Sequence, residues 1–204
     1  MRHFSVRPAL VVQGRERHGL RGLAGKPLHP PLTDVPVTAY LFGAVFDVLS
    51  LALHGSHDRL GRELFHAATW VFLGGAAVSV LAALTGWADW HRSSEPGTQA
   101  RRTINTHAVI MIVVTALTLL DLALRLTGWQ DRTSSPAGLT ALSVALAVLV
   151  MIGATYGGTL VFDYGFNVET AGDSPVWHRS ERDVLPGQQK APAEPATTGS
   201  GTNP

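Results

Sequence analysis

Apolar residues dominate four long stretches of the chain, roughly residues 35–54, 64–86, 104–126 and 139–162, and each stretch is broken by a few polar side chains. A helix of about 20 residues is what a hydrocarbon core of about 30 Å requires, and each stretch meets that length. In lipid, a span must satisfy its own backbone polar groups, so the stretches predict helices. The expected fold is all-α: an integral membrane bundle of four antiparallel transmembrane helices joined by short loops.

The flanks read differently. Residues 1–26 form a basic arm without a sustained hydrophobic period. Residues 27–170 hold the membrane domain, and residues 171–204 form a polar tail. The end of that tail, PGQQKAPAEPATTGSGTNP, cannot bury a core and is expected to be disordered. The polar flanks dilute the mean hydropathy to +0.16. Only short apolar runs precede Val35, so the first span is expected to direct its own insertion.

Basic residues near span ends set orientation. Six precede the first span (Arg2, Arg7, Arg15, Arg17, Arg21 and Lys26). The second loop adds Arg92, Arg101 and Arg102, and the tail adds Arg179, Arg182 and Lys190. The first and third loops carry only Arg59, Arg62 and Arg132. This bias, with an even number of spans, predicts that both termini are cytoplasmic. An arginine-rich, lysine-poor balance suggests a bacterial chain, which makes the plasma membrane the expected location. The formal net charge of +1 creates no field that would draw nucleic acid. With no cysteine, the chain itself holds no disulfide, no thiolate-bound iron–sulfur cluster and no c-type haem.

Several polar residues stand out against the apolar background. Three prolines, Pro27, Pro30 and Pro31, suggest an extended segment around His29, with Thr33 or Asp34 capping the first helix. Asp47 lies near mid-membrane, where a lone charge costs about 2.5–3.5 kcal/mol on insertion scales, so it should face the bundle interior. Gly75, Ser79 and Ala83, four apart, predict a smooth stripe on the second helix, and Gly153 and Gly157 predict another on the fourth. Asp121 and Arg125, acid first and four apart, predict an intrahelical pair near the outer surface. Gly165 is the expected stop of the fourth helix.

Placed on the bundle, these residues gather at two depths. His29, Asp89, His91, Asn105, His107, Asp163 and Tyr164 fall at the cytoplasmic end. His54, His57, His66, Asp121 and Arg125 fall at the outer end, with Asp47 between. The candidate cofactor-binding histidines are His29, His107, His91 and His66, which could hold a haem b. His29, Asp89 and His107 are the candidate metal ligands. Asp47, Asp163 and Tyr164 are expected to be buried polar groups, available for a proton relay or a quinone head group. No His-x-x-x-His spacing singles out one of these chemistries. Interfacial anchoring accounts equally well for the end histidines and for Trp87, Trp90 and Trp129.

The order of these elements resembles one bacterial membrane family. His29-Pro30 through Asp34-Val35-Pro36 precedes the first helix, and Asp47 lies within it. Gly86-Trp87-Ala88-Asp89 ends the second helix, His107 opens the third, and Gly157 to Phe162 with Gly165 and Val168 closes the fourth. Together they resemble the family known as domain of unknown function twenty-two thirty-one, over about residues 27–170. The resemblance implies a four-helix membrane domain without an assigned activity. Relatives fused to Rieske or cytochrome c domains imply a setting of membrane electron transfer. This chain carries no such domain, so a redox role would need a separate redox protein partner or a histidine-held haem. A non-catalytic scaffold or partner subunit, and metal or proton translocation through a homo-oligomer, are the other expected roles.

Overall fold

The computed structural model describes Val11–Val12, Arg15–Glu16 and residues 27–166. Most of the basic arm and the expected disordered tail lie outside these residues. Within the arm, β1 (Val11–Val12) pairs antiparallel with β2 (Arg15–Glu16). The membrane domain consists of α1 (His29–Ala52), α2 (Asp58–Ser93), α3 (Gln99–Leu126) and α4 (Ala137–Phe162). All four helices are long and apolar enough to cross a membrane.

The first helix begins earlier than its prolines suggest. Pro30 and Pro31 occupy its first turn rather than an extended lead-in, because the first N–H groups of a helix lack intrahelical acceptors in any case. No side chain caps this end, and Thr33 instead turns its hydroxyl back to the Pro30 carbonyl at 2.7 Å. Residues 87–93, beyond the expected end of the second span at residue 86, continue α2 as regular helix. At 36 residues, α2 is about 54 Å long and outreaches the hydrocarbon core. The start of α3 is capped by Thr98, whose side chain accepts from the Arg101 N–H. Each interhelical connection contains one glycine at positive φ (Gly55, Gly97 and Gly128), and Gly165 follows α4 in the same conformation.

The helices form a ring in which α1 packs on α2 and α4, and α3 packs on α4 and α2. The ring is apolar outside, and inside it a hydrophobic core that includes Tyr40, Phe72, Val114, Leu146 and Val150 is interrupted by polar groups. Phe42, Trp70, Leu84, Ile112 and Val148 are exposed, whereas Asp47, Ser50, Thr69, Ser79, Thr118, Asp121, Arg125 and Ser143 are buried. Lipid-facing apolar surface needs no burial, so close packing and polar contacts must join the helices. His29 meets Ala82 and Gly86 near the end of α2, and Ser50 donates to the Gly61 carbonyl near its start at 2.6 Å.

Gly75 lies so close to α1 that an added Cβ would stand 2.8 Å from the Ala39 Cβ. Gly153 makes the equivalent approach to Met111 of α3. The stripe on α2 departs from its expected course at Ala83, which is exposed, while Ala82 is buried. Four-residue steps drift around a helix of 3.6 residues per turn, and a following three-residue step restores the face.

Replacing Gly75 by Leu is expected to lower stability by about 1–3 kcal/mol through overpacking. Gly74→Leu, at a position with no atom within 4 Å of the added Cβ, should have little effect. Reversible unfolding in detergent compares the two.

Candidate functional site

Two polar sites lie within the bundle, one fully buried and one half-buried. The first joins all four helices around Arg125. Asp47 of α1, and Asp121 and Arg125 of α3, are each 0% exposed. Arg125 Nη1 donates to Asp47 Oδ1 at 3.1 Å, Nη2 donates to Asp47 Oδ2, and Nε donates to Asp121 Oδ2 at 2.6 Å. The fork of the guanidinium matches the two oxygens of Asp47, which a lysine could not do. Thr69 of α2 accepts from Nη1 at 3.4 Å, and Ser143 of α4 lies 2.5 Å from Asp47 Oδ2. The rings of Phe72 and Phe65 lie 4.8 and 5.5 Å from the guanidinium carbon and close off the charge.

The expected Asp121–Arg125 pair therefore exists, one turn from the end of α3, and both side chains are fully buried. Arg125 also supplies the partner of Asp47, which the sequence left open. Asp121 Oδ1 is buried and, among the described residues, has no hydrogen-bond partner.

The second site is a histidine pair. His29 Nδ1 donates to the Ala82 carbonyl at 2.8 Å, and His107 Nδ1 donates to the Gly153 carbonyl at 2.8 Å. A carbonyl only accepts, so both rings carry their proton on Nδ1 in this arrangement, and each Nε2 is left as an acceptor or ligand. The ring centroids are 6.3 Å apart with an interplanar angle of 86°. Gly86 makes room for the His29 ring, since a Cβ there would lie 2.7 Å from His29 Cε1; a Cβ on Gly157 would only touch the His107 ring, 3.4 Å from Cε1.

Helix geometry links the two sites. His29 and Asp47 are 18 residues apart on α1, and His107 and Arg125 are 18 apart on α3. Eighteen residues make about five full turns, so each histidine lies on the same helix face as its charged residue, about 27 Å away. Aligning Asp47 with Arg125 thus also brings His29 level with His107.

The other candidates lie elsewhere. His66 stacks on Trp129 with centroids 4.1 Å apart, and its Nε2 lies 3.3 Å from the Trp129 carbonyl oxygen. His91 is exposed and contacts the rings of Trp87 and Trp90. Trp90 Nε1 donates to Asn105 Oδ1 at 2.8 Å, and Arg101 lies over the Trp90 ring. His54 lies 3.0 Å from Ser134 Oγ, and His57 precedes the first residue of α2.

Asp89 is buried, yet among the described residues no group of three or more His, Cys, Asp or Glu side chains is placed to hold a metal ion. His29, Asp89 and His107 therefore do not assemble as a three-ligand centre. Asp163 and Tyr164, expected to be buried, are exposed. Both follow the last residue of α4, where Phe162 is 85% exposed and Gly165 turns the chain.

Four membrane-length helices closed around buried polar groups define an integral membrane protein. The chain belongs to the family described as "Predicted membrane protein (DUF2231)", whose profile matches residues 25–170. It matches no curated protein and no solved structure.

Arg125→Lys keeps the charge but loses the fork. It is expected to lower stability by about 1.5–3 kcal/mol, the contribution of a hydrogen bond to a charged group. Chemical unfolding in micelles measures the loss.

Proposed function

We propose that this protein is a redox-linked membrane subunit that holds a haem b between His29 and His107. The supporting observation is the histidine pair, with its two tethered Nδ1 atoms and a centroid separation of 6.3 Å. Each ring uses its Nδ1 on a carbonyl and keeps Nε2 unused, so the two imidazoles together would offer one nitrogen each to a bound iron. Two imidazoles without a third protein ligand form an incomplete set for a structural zinc ion. They are a complete set for a haem iron, which brings four nitrogens of its own.

His29 and His107 would hold the group, and it would supply one-electron transfer. The carbonyls of Ala82 and Gly153 fix the tautomer and raise the basicity of each Nε2. Gly86 keeps a side chain away from the His29 ring. In this reading the bundle spans the plasma membrane with both termini in the cytoplasm, as the arginine distribution implies. Its electron partner is a separate redox protein, since the chain has no cysteine to hold an iron–sulfur cluster.

The test is an optical spectrum of the protein purified in mild detergent from haem-sufficient cells. A Soret band that shifts on dithionite reduction is expected. His29→Ala and His107→Ala should each abolish it, while His66→Ala and His91→Ala should leave it unchanged. A featureless spectrum, or a band indifferent to His29 and His107, would overturn the assignment.

A further inference from the structure

The charge cluster has a feature that helix packing alone does not require. It contains two carboxylates and one guanidinium, all fully buried. With both acids ionised it carries a net charge of −1, isolated from water inside a membrane bundle. Asp47 is well supported as the ionised member, because the Arg125 fork and the Ser143 hydroxyl engage both of its oxygens. Asp121 is supported on one side only. Its Oδ2 accepts from Arg125 Nε, and its Oδ1 has no partner among the described residues. A proton on Oδ1 neutralises the cluster and leaves every contact of the other oxygen in place.

A line of buried hydroxyls leads away from Asp121. Thr118 lies three residues earlier on the same face of α3 and is 0% exposed. It meets the hydroxyl of Tyr40, which in turn lies 2.9 Å from Ser79 Oγ. One turn beyond Ser79, the Ala82 carbonyl accepts from both His29 Nδ1 and Thr85 Oγ1.

We propose that the Asp47–Arg125–Asp121 cluster is a proton-binding site, in which Asp121 takes up and releases the proton and Thr118, Tyr40 and Ser79 carry its exchange toward the histidine end. Uptake adds one proton to Asp121 Oδ1 and changes the cluster from −1 to neutral. Release returns that proton to water at the histidine end, and no electron moves. The charged and titratable groups facing the site are Asp47 and Tyr40 from α1 and Arg125 from α3. From α2 and α4 come Thr69 and Ser143, which do not titrate.

Infrared spectroscopy of the full chain in lipid vesicles tests the proposal at neutral pH, with transfer from H2O to D2O. A carbonyl band of a protonated, buried carboxylic acid is expected, shifting in D2O. Asp121→Asn should remove it, and Asp121→Glu should keep it at a displaced frequency. Tyr40→Phe should slow its hydrogen–deuterium exchange at least tenfold. Absence of the band in the native chain, its survival in Asp121→Asn, or an undisplaced band in Asp121→Glu overturns the proton site. An exchange rate unchanged in Tyr40→Phe overturns the route. The band reports the carboxyl group with or without haem, so this result and the visible spectrum fail independently.

Discussion

A fully buried guanidinium between two carboxylates is the interaction on which this bundle depends. Arg125 cannot be left alone in hydrocarbon, and neither can Asp47. Desolvating such charges costs several kcal/mol per ion, which only close geometry and further hydrogen bonds offset. The structure supplies both, through the fork onto Asp47, the Nε bond to Asp121, and the hydroxyls of Thr69 and Ser143. One group from each of α1, α2 and α4 meets α3 there. Lipid gives the helices little hydrophobic reason to associate, so this contact selects one arrangement among many that would pack equally well.

That arrangement fixes registers along the whole domain. With Asp47 held against Arg125, α1 cannot slide along its axis without breaking a charge pair. Glycine approaches between α1 and α2 and between α3 and α4 then fall into place. Five turns away, on the same faces, His29 and His107 come together. The charged site is thus a structural key whose effect is read out at the histidine site. Gly86 and Gly153 serve that end, the first by leaving space for the His29 ring and the second by offering a carbonyl.

Much of this was legible in the sequence. The four spans are written in run length, and the fourth begins and ends within two residues of its expectation. The ends of α2 and the start of α3 were not legible, because helix continues past the apolar run into polar interfacial sequence with no break in hydrogen bonding. His29 and His107 were visible as histidines in or beside spans, but their pairing required the fold. Asp47 and Arg125 were each conspicuous in apolar surroundings. Their partnership was hidden because Arg125 already had a local acid four residues away, which accounts for it without any other helix. The matched spacing of 18 residues on α1 and α3 was the signal that could have joined them. Asp163 and Tyr164 misled because a polar residue at the end of a span can face outward as readily as inward, and the sequence does not show which.

The central claim, that Asp47 and Arg125 act as one unit, is tested by a double-mutant cycle. Asp47→Asn, Arg125→Met and the combination would be compared by reversible unfolding in mixed micelles. Each single change should be strongly destabilising, because it leaves the remaining partner short of a counter-charge in the interior. The pair should be less destabilising than the sum of the singles, by about 1–3 kcal/mol. Additivity within about 0.5 kcal/mol would mean that the two side chains are neighbours without being partners, and would contradict the account.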